Sequence, residues 1–255
     1  MGHFKPTRLS HQENMVMLMF SLLYTLNIAV SNVALQLVKI SLHQIIRAMT
    51  PLFTIGLSVM VLKKQYPSAI YISLIPIVAG VTFTSLGDLG YKSSFGLFLT
   101  VLSAFLAALK TVVTNRVQVG KLKLHPMDVL YRMSPLAFIQ SLMYARLTGE
   151  LTQVSDFWYT QMTPSVFLLI ALNGVMAFFL NVVSFTSNGK TSALMMTVAG
   201  NVKQVLTILV VVPLFGETVT ALGGFGIVLT LMGGAWYTML EFKEKNRKME
   251  LLGGR

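Results

Sequence analysis

The chain has 255 residues, of which 54% are hydrophobic and only 11% charged, with no cysteine and a formal net charge of +11. So apolar a composition excludes an ordinary soluble domain, and the absence of thiols excludes a disulfide framework or a Cys-based metal centre. The four His residues lack HExxH spacing, so neither metal nor cofactor is expected.

The first residues, 1–14, are polar and basic, and read as a cytosolic segment. The apolar stretch after them is too long for a signal-peptide core and has no small-residue cleavage site, so no removable leader is expected. A membrane-crossing helix needs roughly 20 apolar residues. Eight segments meet that need: 15–36, 41–62, 67–86, 95–115, 128–147, 164–185, 191–212 and 218–240. Between them KKQYPS, GDLGYKSS, GKLKLHP, TGELTQVSDFWYTQMTP, TSNGK and FGET carry turn-forming residues and read as loops. The expected organisation is a transmembrane domain over 15–240 followed by a basic cytosolic tail, 241–255. Its fold class is all-α, a polytopic membrane helical bundle of eight transmembrane helices.

An even number of spans puts both termini on one side. Cytosolic loops are enriched in Lys and Arg, and a cytosolic N-terminus places most of the 20 basic residues there, among them Lys63, Lys64, Arg116, Lys121, Lys123 and Lys190. The positive excess is therefore topological. Because it is scattered through short loops rather than gathered along a groove, nucleic acid is not expected as a partner.

Two stretches resemble one another in pattern: HQIIRAMTPLFTIGLSVMVLKKQYPSAIYISLIPIVAG and TVAGNVKQVLTILVVVPLFGETVTALGGFGIVLTLMGG. Each has an early cation, an apolar run, a short turn and a Gly-rich second helix. They start on opposite sides of the membrane, and such inverted-repeat hairpins are a recurring plan of secondary transporters, with the binding site between them.

Cations inside spans are the chemistry-bearing residues. A basic side chain at the bilayer centre costs about 2.5–3.5 kcal/mol on insertion scales, so it persists where a cavity or a ligand compensates it. Lys203 lies roughly 18 Å from the start of its span and cannot snorkel to the interface as Arg47 and Lys110 can, at roughly 9 Å and 8 Å. On the second span His43, Gln44, Arg47, Thr50 and Thr54 share a helical face, as Tyr24, Asn27 and Ser31 do on the first. Arg132 follows Asp128 by four residues and is expected to pair with it. His43 reads as a hydrogen-bonded helix residue or a minor contact, while Asn181 and Ser184 read as helix glue. Tyr24, Asn27, Asn173, Asn181 and Asn201 offer hydrogen bonds to a sugar or base, and the cations offer charge to a phosphate.

The segments TLNIAVSNVALQLVKISLHQIIRAMTPLFTIGLSVMVLKKQ, SLIPIVAGV, AALKTVVTNRV and TSALMMTVAGNVKQVLTILVVVPLFGE resemble the triose-phosphate and nucleotide-sugar translocators of the drug/metabolite transporter superfamily. The resemblance covers about residues 15–240 and is most specific at PLFT and GNVK. It implies a ten-helix transporter fold of which this chain begins at the third span, so that two helices are expected to be missing. It also implies antiport of a phosphorylated sugar or nucleotide-sugar against phosphate or a nucleoside monophosphate. In the family, a lysine at the position resembling Lys203 contacts the substrate phosphate. In triose-phosphate carriers an arginine follows it, whereas Gln204 follows here, which leans toward a nucleotide-sugar or another organic anion.

The expected function is thus alternating-access antiport of such an anion, with Lys203 as principal contact, Arg47 second, Lys110 and Arg116 next, and His43, Thr50, Asn201, Tyr24 and Asn27 as hydrogen-bonding neighbours. No enzyme activity is expected, since the spans hold no carboxylate to act as a base with His43 and no nucleophile motif. The expected location is a Golgi or endoplasmic reticulum membrane, with lipid as a neighbour and a homodimer left open. The competing reading is a non-transporting membrane scaffold or a regulatory fragment of such a transporter.

Overall fold

The computed structural model describes residues 10–63, 65–87, 94–119, 124–191, 193–216 and 219–253, and among these all regular structure is α-helical. In chain order the helices are α1 (His11–Leu37), α2 (Ile40–Arg47), α3 (Thr50–Leu62), α4 (Ser68–Gly87), α5 (Ser94–Val119), α6 (Pro126–Leu147), α7 (Glu150–Gln161), α8 (Pro164–Lys190), α9 (Ala193–Phe215) and α10 (Ala221–Gly253). Six stretches of described residues are long and apolar enough to cross a membrane: 11–37, 40–61, 68–86, 94–119, 164–190 and 221–244. This is the build of a polytopic helical membrane protein, in which helices satisfy their own backbone away from water. The remaining two expected segments fall on α6 and α9, helices of 22 and 23 residues.

Three features depart from the sequence expectation. The segment 41–62 is not one helix but α2 and α3, interrupted at Ala48 and Met49. The stretch read as a loop, TGELTQVSDFWYTQMTP, contains α7, a 12-residue helix. It starts from a left-handed Gly149 and carries Glu150 at the positive end of its dipole. No run of apolar residues marks it, so a search for membrane spans passes over it. Finally, α10 continues through the basic tail, and the apolar stretch inside it reaches residue 244. Glu241 is therefore a buried carboxylate within a candidate span, accepting a hydrogen bond from the Tyr237 hydroxyl at 3.2 Å.

The chain divides into two compact units. One comprises Met1–Leu26 with Val113–Thr191. Its core is Met17, Phe20, Val117, Leu124, Val129, Met133 and Phe185. Polar side chains tie its helices together: Gln140 of α6 donates to Ser21 and accepts from Thr25 of α1, both at 2.8 Å. Such bonds hold helices in lipid, where apolar burial drives no association. Near the end of α5, Asn115 donates to the carbonyl oxygens of Asn188 and Thr191, where α8 runs out of backbone donors, and Gln118 donates to that of Phe185. The Asp128 carboxylate, 1% exposed, pairs with Arg132 at 3.2 Å as the four-residue spacing predicts.

The other unit comprises Asn27–Val112 with Ser192–Arg255. It has two apolar clusters, one built on Ile55, Ile70, Leu74, Ile77 and Tyr237, the other on Val38, Leu42, Ile45, Ile46, Val81 and Ile208. Here α4 and α10, the Gly-rich second helices of the two similar stretches, pack directly on each other. A Cβ placed on Gly80 would meet Thr230 Oγ1 at 2.4 Å and the Gly226 carbonyl oxygen at 2.6 Å, so only glycine permits the approach. The hydroxyls of Thr84 and Thr230 fold back onto the carbonyls of Gly80 and Gly226, which keeps polar atoms satisfied at the contact.

Candidate functional site

The site is built around the interruption in the second span. Proline at position 51 has no N–H, so the carbonyl of Arg47, four residues earlier, loses its helical partner. Backbone bonds tighten through the turn: Ala48 N–H reaches Ile45 O, Met49 N–H reaches Ile46 O, and Leu52 N–H reaches Met49 O, all at 2.9–3.0 Å. Thr50 supplies the missing donor, its hydroxyl bonding Arg47 O at 2.5 Å. Thr54 in turn donates to Thr50 O at 3.0 Å. The two threonines of the polar face are therefore spent on the backbone, and they fix the point from which the Arg47 side chain departs.

Arg47 is half-buried, and its Nη1 donates to Ser31 Oγ of α1 at 3.1 Å. Ser31 Oγ also lies 3.3 Å from His43 Nε2. Ser31 and His43 are buried, at 7% and 1% exposure. Asn27, one helical turn before Ser31, is buried too, and its Oδ1 has no hydrogen-bond partner among the described residues. Sequence reasoning placed Ser31 on a polar face but did not count it among the site residues; its spacing of four from Asn27 was the available signal.

Lys110, half-buried on α5, lies within Coulombic reach of both Arg47 and Lys203. Lys203 is exposed on α9 and lines an open groove of about 560 Å³ with Ala199, Leu206, Thr207, Val210 and Val211. Its ammonium makes no hydrogen bond or ion pair among the described residues. The neighbouring Gln204 points elsewhere: it is buried and lines a separate cavity of about 460 Å³ whose other walls, from Ile45 and Ala48 to Leu231 and Met239, are almost wholly apolar.

The unit holding Arg47, Lys110 and Lys203 thus contains three cations, with Lys110 in reach of the other two, together with His43, Thr50 and Asn27. Asn201 belongs to the same unit by its place on α9, but its side chain lies outside the described residues. Tyr24 and Arg116 belong to the other unit. There the Tyr24 hydroxyl donates to Asn181 Oδ1 at 2.5 Å while its ring stacks on Phe185, and Arg116 is exposed near the end of α5. Like charges near one another repel, and a bound anion offsets that cost. What the arrangement can do chemically is attract an anion, and Asn27 Oδ1, without a partner among the described residues, can accept a hydrogen bond from a hydroxyl.

Comparison with known proteins bears on what such a cluster of cations serves. A model of the Triose-phosphate Transporter family matches residues 1–238. A probable sugar phosphate/phosphate translocator of Arabidopsis thaliana is 29% identical over 93% of this chain and 66% of its own length. From the same organism, GDP-mannose transporter GONST5 is 29% identical over 85% of the chain and 63% of its own length. UDP-galactose transporter 1, also from that plant, is 28% identical over 85% and 64%. The chain accordingly spans just under two thirds of the length of these relatives. A protein of known crystal structure shares the fold, with a TM-score of 0.58 at 14% identity over 92% of this chain and 80% of that one.

Proposed function

The chain belongs to the Triose-phosphate Transporter family, and on that premise we propose that it carries a nucleotide-sugar or sugar phosphate across a membrane by alternating access. The observation that carries this reading is the gathering of Arg47, Lys110 and Lys203 within one unit, close enough that Lys110 senses both other charges. The names of the relatives span sugar phosphates and nucleotide-sugars, and both classes present the phosphate that such a cluster favours.

Exchange follows from the same electrostatics. Moving an empty, mutually repelling cluster between inward- and outward-facing states is costly, while a bound anion on either side neutralises it. The counter-substrate is then phosphate or a nucleoside monophosphate. The proposed location is a Golgi or endoplasmic reticulum membrane with both termini cytosolic, and the activity is transport rather than catalysis.

Reconstitution in liposomes tests the proposal. Unmodified protein is expected to take up one of a panel of nucleotide-sugars or sugar phosphates only when a phosphate-bearing counter-substrate is preloaded, and Lys203→Ala is expected to lose that uptake. Equal flux from both proteins removes Lys203 from the mechanism. No flux from either, with both well folded, favours the scaffold reading.

A further inference from the structure

We infer that Ser31 and His43 are positioning residues, which hold the Arg47 guanidinium in the orientation used for anion binding and do not themselves touch the ligand. The inference deepens the transport reading above and rests on it.

The hydrogen-bond directions are set by chemistry. A guanidinium can only donate, so Ser31 Oγ accepts from Arg47 Nη1 at 3.1 Å. The serine hydroxyl keeps one proton to give, and His43 Nε2 lies 3.3 Å from it. Ser31 donates to Nε2 when the imidazole proton is on Nδ1 and accepts from it in the other tautomer; in both, the buried Nδ1 has no hydrogen-bond partner among the described residues. Arg47 and His43 come from one helix, one turn apart, and Ser31 from another, so the serine clamps the arginine from across the helix pair. Both supports are more than nine-tenths buried, whereas Arg47 is half-buried. Arg47 therefore retains the most exposed surface of the three for a ligand.

The backbone supports the same point. The proline break leaves the Arg47 carbonyl held by the Thr50 hydroxyl rather than by a regular helical bond. An arginine side chain free to sweep loses rotamer entropy on binding. Its bond to Ser31 removes that freedom in advance.

The test is saturable uptake of the best substrate of the unmodified carrier, read as half-saturating concentration and maximal rate separately. Ser31→Ala and His43→Leu are expected to raise the half-saturating concentration about tenfold with little change in maximal rate, the size of one lost charge-assisted hydrogen bond. Ser31→Thr keeps the hydroxyl, and His43→Gln keeps a polar atom near the place of Nε2, so both are expected to rescue. In an Arg47→Gln background, Ser31→Ala is expected to add nothing, because its effect passes through the arginine. Full additivity in that double mutant overturns the inference, as does a rescue variant that behaves like its deletion. Phosphate-dependent uptake that Arg47→Gln reduces and Ser31→Ala leaves intact overturns the positioning role alone. Absence of any saturable uptake by the unmodified protein overturns the transport reading and this inference together.

Discussion

A Cβ on Gly226 would stand 2.5 Å from the carbonyl oxygen of Gly80, so α10 and α4 meet backbone to backbone, with only the Thr84 and Thr230 side chains beside the contact. In lipid, where tails are as apolar as leucine, such close approach is what gives van der Waals packing its strength. Gly226→Val and Gly80→Leu are therefore expected to lower the melting temperature of the detergent-solubilised protein sharply, at a cost of about 2 kcal/mol or more. Gly56 of α3 has nothing within 4 Å of its Cβ position, and Gly56→Ala serves as the control, expected to be neutral or mildly stabilising. Unchanged melting in Gly226→Val would show that the two helices do not touch there.

The helical class and most of the helix limits were legible because a bilayer imposes so simple a requirement, length and apolarity. The packing of α4 on α10 was half legible: the two Gly-rich helices stand out, but glycine alone does not name its partner. Helix α7 was not legible by the same criterion, since Leu151, Val154 and Trp158 are spread among polar residues and only their spacing marks a face. Within the site, Arg47, Lys110 and Lys203 announce themselves as charges in apolar runs. Ser31 does not, because a small hydroxyl in a membrane helix ordinarily bonds its own backbone, and only the fold brings the Arg47 guanidinium to it. Glu241 was missed for a different reason: the apolar stretch of α10 runs four residues past where the sequence reading ended it.

The Thr50 hydroxyl replaces the donor that Pro51 lacks, and the pair can be separated by mutation. Thr50→Val leaves the Arg47 carbonyl without that bond and is expected to cost about 1–2 kcal/mol in stability. Adding Pro51→Ala restores an N–H four residues after Arg47, and is expected to recover most of the loss by allowing a continuous helix. Recovery of stability without recovery of uptake would show that the interruption itself serves transport. A double variant no more stable than Thr50→Val would rule out the carbonyl as the origin of the effect.

Asp128 and Arg132 differ in what their removal leaves behind. Asp128 is 1% exposed and Arg132 21% by side chain, so Arg132→Met takes an ion-pair partner from a buried carboxylate while Asp128→Asn leaves a cation that can reach solvent. Arg132→Met is expected to destabilise by about 1–3 kcal/mol and the double variant Asp128→Asn/Arg132→Met by less, because the buried charge is gone. The comparison is read from melting temperatures of the three variants in one detergent. A double variant less stable than Arg132→Met would contradict a desolvation cost centred on Asp128.

Lys110 offers the sharpest separation of binding from stability, because it senses Arg47 and Lys203 at once. In the empty protein, replacing it by methionine removes like-charge repulsion and keeps a long apolar side chain at a half-buried position. Lys110→Met is therefore expected to melt higher than the unmodified protein in the absence of ligand, by the few degrees that about 1 kcal/mol of relieved repulsion implies. The sign reverses with ligand present: the stabilisation conferred by saturating substrate is expected to shrink, and uptake to fall at least tenfold, because one of three charges that hold the anion is gone. Arg116→Ala, an exposed position in the other unit, is expected to change neither quantity by more than about twofold on the scale of a surface charge. Thermal melts with and without substrate, run beside liposome uptake, give both signs in one set of proteins. If Lys110→Met lowered the melting temperature of the empty protein, the lysine would be a structural donor and the repelling-cluster account of exchange would lose its basis.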